Sequence, residues 1–172
     1  LKLGIYSDVG YKTCGGRIAS RGHEFQDAQT YAQWGIDYLK YDWCNAEGLK
    51  ADGAYTTMRD AIHAAGRPVV FSICEWGQNK PWLWAADIGH LGRTTGDIFA
   101  KFDGYLEHGS WHQSGVLQLL DEQKPLRQYA APGHWNDPDM LEVGYGLREN
   151  EDRARFSMWC MLNSPLLAGN DL

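Results

Sequence analysis

Short apolar runs alternate with amphipathic stretches along the whole chain, and each run ends in polar residues. Leu1 to Ser7 reads as a strand. From His23 to Trp34, apolar residues at Phe25, Ala28, Tyr31 and Ala32 recur at helical spacing, and Gly35 supplies a stop. Ile36 to Asp42 predicts a second strand. Tyr55, Met58, Ile62 and Ala65 form a helical stripe closed by Gly66, with Pro68 beyond. Val69 to Ile73 is a β-branched strand running into Cys74-Glu75-Trp76.

The second half is less regular. The pattern predicts a short helix over Pro81 to Ala86, a brief strand before Arg93 and one or two helices between Ile98 and Glu122. It also predicts a weak strand over Tyr129 to Trp135. Glu149 to Leu162 reads as an amphipathic helix with Phe156, Trp159, Cys160 and Leu162 as its apolar positions, and Pro165 to Ala168 as a last strand. Alternating β and α units imply parallel strands joined by helical crossovers, about 30 residues per unit. With no linker or repeat, residues 1–172 read as one domain. No glycine-rich phosphate fingerprint follows the first strand.

The polar residues that carry chemistry follow the strands. In Lys40-Tyr41-Asp42-Trp43-Cys44, strand alternation puts Tyr38, Lys40 and Asp42 on one face. A lysine and a carboxylate there are costly unless they meet each other or a ligand. Arg93-Thr94-Thr95-Gly96-Asp97 and Trp135-Asn136-Asp137-Pro138-Asp139 repeat the theme. Converging carboxylates beside aromatics point to a sugar-cleaving site, which needs two carboxyl groups flanking the scissile bond. Asp42, sharing a face with Lys40, is the candidate for the ionised partner, because a nearby cation favours the charged form. Asp97, on a loop beyond Arg93, is the candidate proton donor. The two are expected to face one another across a common hollow.

Composition narrows the field. A net charge of −6 disfavours a nucleic-acid partner. No apolar run is long enough for a membrane span, and no signal peptide is visible. Eight tryptophans suit stacking on sugars, although large core residues in an aromatic-rich fold would account for most of them. The cysteines Cys14, Cys44, Cys74 and Cys160 contain no C-x-x-C pair, and spacing alone assigns no disulfide. His108 and His112, four apart with no acidic ligand alongside, read as exposed or packed rather than as metal ligands.

Taken in order, Leu3-Gly4-Ile5-Tyr6-Ser7-Asp8-Val9-Gly10 with Lys12-Thr13-Cys14, then Lys40 to Cys44, Cys74-Glu75-Trp76, Arg93 to Asp97, Trp135 to Met140 and Ser164-Pro165-Leu166-Leu167 resemble the motifs of glycoside hydrolase family 27, the α-galactosidases. The resemblance covers essentially the whole chain. It implies a partial (β/α)8 TIM barrel, approximately strands 3 to 8, without the first two strands or the C-terminal antiparallel β domain. An open six-strand segment of that kind is expected to be weakly stable or to oligomerise by itself, with little activity. The implied activity is retaining, exo-acting hydrolysis of terminal α-linked galactose, with Asp42 as nucleophile and Asp97 as acid/base.

In the same resemblance Tyr6, Lys40, Glu75, Trp76, Arg93 and Asp139 bind substrate. Glu75 and Trp76 crowd the sugar 2-hydroxyl, favouring galactose over its acetamido analogue. A Glu75–Arg93 salt bridge is the plain structural alternative. Cys14 pairs with Cys44, a link worth about 3–4 kcal/mol for a ~30-residue loop; Cys74 and Cys160 are expected to be buried thiols. No metal or organic cofactor is implied, and the partner is a galactose-containing oligosaccharide or polysaccharide. Export to the periplasm or cell exterior is implied for the full-length parent. The related alternatives are α-N-acetylgalactosaminidase and β-L-arabinopyranosidase, and the alternative of another class is a catalytically silent galactose-binding fragment. One position departs from the pattern: Gly92 stands where the family usually carries Trp, which is expected to loosen the strand end holding Arg93 and Asp97.

Overall fold

The computed structural model describes residues 2–167. Five parallel strands form one sheet in the order β1 (Gly4–Asp8), β2 (Tyr38–Asp42), β3 (Val70–Ile73), β4 (Leu91–Arg93), β7 (Trp135–Asp137). Helix α1 (Glu24–Gln33) crosses from β1 to β2, and α2 (Ala51–Ala65) crosses from β2 to β3. Two 3-10 turns, Pro81–Leu83 and Ala85–Asp87, take the place of a full helix between β3 and β4. An antiparallel hairpin, β5 (Tyr105–Glu107) and β6 (His112–Ser114), precedes α3 (Val116–Gln123). A 3-10 turn, Lys124–Tyr129, then leads to β7, and α4 (Glu149–Met161) closes the described chain. This is the α/β architecture of a partial barrel.

Helix ends fall where the stop signals placed them. Gly66 caps α2 in the left-handed conformation, φ +76°, which a residue without Cβ adopts freely. Between Ile98 and Glu122 the chain carries one helix, within the one or two expected, preceded by a hairpin that the pattern did not predict. Three sequence expectations are corrected. The strand expected over Tyr129 to Trp135 forms instead at Trp135–Asp137, because 3-10 turns occupy the chain up to Tyr129. Residues 165–167 form no strand, and Ala168 lies outside the described residues.

Helix α4 is the third correction: it buries Asp152, Arg155 and Trp159, while Phe156 and Cys160 face solvent. Arg155 explains the inversion. Its guanidinium donates to the carbonyls of Met140 and Glu142, a demand only a buried face can meet. Cys160 is therefore an exposed thiol, whereas Cys74 is buried as expected.

The core lies between the sheet and its helices. Leu39, Tyr41, Phe71 and Ile73 point toward Ala28, Tyr55, Met58, Ala61 and Ile62 of α1 and α2. Tyr55 is its aromatic hub, meeting Tyr41 edge-on at 5.9 Å and stacking on Trp43 at 5.8 Å. Since residues alternate along a strand, this apolar face sends every second side chain the other way, where the polar residues stand.

Candidate active site

Strand register builds the site. Asp8 is opposite Asp42 and Arg93 is opposite Asp137. Continuing the β2–β3 and β3–β4 pairings by one residue sets Cys74 between Asp42 and Arg93, as its N–H bond to the Tyr41 carbonyl requires. One step back, Tyr6 is opposite Lys40. A row of ionisable side chains thus runs across the carboxyl ends of the strands, on the face away from α1 and α2.

At the β2 end, the Asp42 carboxylate accepts the Tyr6 hydroxyl at 2.9 Å and the Trp43 N–H at 3.0 Å. Burial and the Asp42 charge raise the Tyr6 pKa, so its proton stays in place as the donor. Lys40 forms no ion pair with Asp42 among the described residues. Burial opposes its charge, but the Cys74 sulfur and the Asp42 and Asp139 carboxylates outweigh that, and its pKa is raised. Its ammonium remains a charged donor.

Cys14 and Cys44 form the expected disulfide, with Cα atoms 5.1 Å apart. Cys14 Sγ lies 3.5 Å from Asp42 Oδ2 and 3.3 Å from the Tyr6 hydroxyl, so the bridge is a wall of the site as well as a brace.

Arg93 is the hub at the β4 end. It is 2% exposed, and its guanidinium pairs with Asp97 at 2.9 Å and Asp139 at 2.7 Å while also donating to the Gly96 carbonyl. Asp139 has φ +90°, rare for a residue with a side chain. Its bonds hold it there: Oδ2 accepts the Ile98 N–H at 2.7 Å, Oδ1 the Met140 N–H at 2.7 Å, and its carbonyl the Trp159 indole at 2.9 Å. Backbone strain of this kind, about 1–3 kcal/mol, concentrates at functional sites. Asp97 differs in access: its side chain is 45% exposed, against 5% for Asp139.

Glu75 does not pair with Arg93. Its Oε2 accepts the Asn79 backbone N–H at 2.5 Å and side-chain N–H at 2.8 Å, while Oε1 is buried and has no partner among the described residues. Burial pushes its pKa up to about 7. Trp76 follows in the left-handed region, φ +58°, and Gly77 approaches the Thr94 carbonyl so closely that a Cβ would stand 2.3 Å from it.

Sequence reasoning missed Asp8. It has no exposed surface, and it accepts the N–H groups of Gly10 at 2.8 Å and Cys44 at 3.0 Å. The signal available was its two-residue offset from Tyr6, the alternation already applied to Lys40 and Asp42.

Gly92 does not leave a gap. The His134 ring lies over it, buried, with Nδ1 bonded to the Gly89 carbonyl at 2.7 Å; a Cβ on Gly92 would be 3.0 Å from Nε2. Of two hollows in the structure, one lies in the core beneath α1 and α2 and one along β1 beside Tyr6. Asp42 and Asp97 therefore share a sheet end and not one of these hollows.

Comparison with known proteins agrees with the fold. The family described as Alpha galactosidase A (Melibiase_2) matches residues 1–172. The chain is similar to alpha-galactosidase A of Cellvibrio japonicus, 64% identical over all of this chain and 43% of that one. It is also similar to the alpha-galactosidase of Cyamopsis tetragonoloba, 46% identical over all of this chain and 40% of that one. It thus spans about 40% of the length of the curated relatives it matches. Among solved structures, the Saccharomyces cerevisiae alpha-galactosidase superposes with a TM-score of 0.93 at 36% identity, covering 98% of this chain and 41% of that one. A second structure of that enzyme, with raffinose, gives 0.92. The chain belongs to the Alpha galactosidase A family of glycoside hydrolases.

Proposed function

We propose that this chain carries the catalytic residues of a retaining, exo-acting α-galactosidase. The observation that supports this reading best is the row at the strand ends. Asp42 is held by Tyr6, and Asp97 is held by the guanidinium that also grips Asp139. Asp42 and Arg93 stand two strands apart, about 10 Å at the backbone. A retaining mechanism requires the Asp42 and Asp97 carboxyl groups to stand ~5–5.5 Å apart.

Asp42 attacks the anomeric carbon while Asp97 donates a proton to the departing oxygen, leaving a galactosyl ester on Asp42. Asp97 then takes a proton from water, which attacks the same carbon and frees Asp42 with the configuration retained. The Tyr6 hydroxyl fixes the orientation of the attacking carboxylate. Lys40 and Arg93 offer charged N–H groups to sugar hydroxyls, and Glu75 Oε1 and Asp139 offer acceptors. Trp76, turned by its left-handed backbone, crowds the 2-hydroxyl side and favours galactose. Substrates ending in α-1,6-linked galactose fit this reading, and the S. cerevisiae relative crystallised with raffinose supports it. The disulfide favours an oxidising compartment, hence an exported enzyme.

The test is covalent. In the full-length protein, a 2-fluoro-galactosyl donor is expected to label Asp42, and Asp42→Asn to lower kcat at least 1,000-fold, on the order of the loss of a covalent nucleophile. Unchanged turnover in Asp42→Asn, or label on another residue, overturns the assignment.

A further inference from the structure

We propose that the β5–β6 hairpin is a subsite for the leaving-group sugars of an α-galactoside, with its exposed rings as stacking platforms. The inference rests on Asp97 being the acid/base. A proton donor must stand at the glycosidic oxygen, so the departing sugar lies on its side of the bond.

The hairpin is joined to that residue by backbone bonds. Ser114 N–H donates to the Asp97 carbonyl at 2.8 Å, Phe99 N–H to the Ser114 carbonyl at 3.2 Å, and the Gln113 side chain to the Ile98 carbonyl at 3.1 Å. The His112 carbonyl closes over Gly96. Whatever holds Asp97 in place therefore holds the base of the hairpin too.

Beyond that base the hairpin has no core of its own. Tyr105 and Trp111 are 52% and 50% exposed. Isolated two-stranded hairpins are marginal in water, and exposed aromatic clusters mark binding surfaces. The rings are nevertheless ordered. His108 stacks on Trp111 with centroids 4.2 Å apart and planes at 19°, and its Nε2 bonds the Gln113 amide oxygen at 2.9 Å. Tyr105 meets the His112 ring edge-on at 4.9 Å. One face of the Trp111 indole is backed by His108, and half of the residue stays exposed. A rigid aromatic plane beside a bonded amide suits a pyranose, which has an apolar face and a hydroxyl rim, and it binds at low entropic cost.

The experiment compares leaving groups in the full-length protein. Trp111→Ala is expected to raise KM for a galactosylated manno-oligosaccharide about tenfold, the scale of one lost stacking contact. Hydrolysis of α-galactosyl fluoride, which has no leaving sugar, should stay unchanged. Trp111→Phe should recover most of the loss. Calorimetric affinity for the oligosaccharide, measured against free galactose, reads the subsite even without turnover. An equal loss on both substrates, or unchanged oligosaccharide affinity in Trp111→Ala, overturns the proposal. So does a wild-type dimer that Trp111→Ala dissociates, since a second copy would then cover the hairpin. Absence of fluoride hydrolysis in the wild type would instead reject the catalytic reading.

Discussion

At Asp8 a carboxylate without exposed surface stands across the β1–β2 pair from Asp42. Burial raises its pKa to about 7; the Gly10 and Cys44 N–H groups work against that, and the Asp42 charge adds to it. An unfolded aspartate ionises near 3.9. Between these values the folded chain holds a proton that the unfolded chain has released, so the contribution is full below about pH 4 and is lost as pH rises through about 7. Asp8→Asn keeps the shape but turns an N–H toward one of the two donors, and a lost buried bond costs about 1–3 kcal/mol. The variant is thus expected to melt below the wild type at pH 5, with the gap narrowing by pH 8, where the wild type must keep a buried charge facing Asp42. Thermal melts at the two pH values measure it; a gap that widens with pH contradicts the assignment. The same residue shows how legible the site was. Asp42 stands on the face where alternation places it, whereas Glu75, Asp97 and Asp139 lie beyond the strand ends, where alternation makes no prediction. Asp8 obeys the same rule two residues after Tyr6 but lacks the neighbouring cation that singled out Asp42. Gly92 misled, because the ring that fills its space comes from His134, forty-two positions later, and no local pattern joins the two.

Helix α4 was legible as an element but not in orientation. Its buried side is Asp152, Arg155 and Trp159, and an apolar stripe cannot reveal a face buried to satisfy carbonyls. The β5–β6 hairpin escaped for a related reason: its strands are three residues each, too short for a period-2 signal to stand out. What α4 does for the site is local. Trp159, fully buried, donates its indole N–H to the Asp139 carbonyl at 2.9 Å, and Arg155 lies 5.1 Å from the indole ring. The helix thereby helps to hold Asp139 at its unfavourable φ, which keeps Oδ2 on Arg93. Trp159→Phe removes the indole donor and leaves part of the indole volume empty in a buried site. It is expected to cost about 2–4 kcal/mol of stability, lost bond and cavity together, and to lower kcat severalfold. Denaturant unfolding and steady-state kinetics would check both. A stability loss with kcat unchanged would mean that α4 packs the loop without positioning Asp139.

Over the whole molecule, the sheet separates two kinds of chemistry. One face is an apolar layer under α1 and α2. The other carries a charged row whose members are buried not by neighbours in a core but by the loops that follow the strands. Two ties hold those loops: Arg93, which gathers Asp97 and Asp139, and the Cys14–Cys44 bridge, which joins the loops after β1 and β2 across 30 residues and encloses α1. A cross-link closing a loop of that length contributes about 3–4 kcal/mol by restricting the unfolded chain. At about 2–4 °C per kcal/mol for a domain of this size, the Cys14→Ala/Cys44→Ala double variant is expected to melt about 6–16 °C lower. The bridge also touches the site, since Cys14 Sγ meets the Tyr6 hydroxyl and Asp42 Oδ2. The lost activity should therefore exceed what unfolding explains: kcat measured well below the melting point should fall, with KM for a small α-galactoside nearly unchanged, because the bridge abuts Asp42, the proposed nucleophile, rather than Lys40 and Arg93, the proposed sugar contacts. A variant that melts lower yet keeps full kcat in the cold would reduce the bridge to a stabilising cross-link and leave the Tyr6 hydroxyl and the Trp43 N–H to aim Asp42.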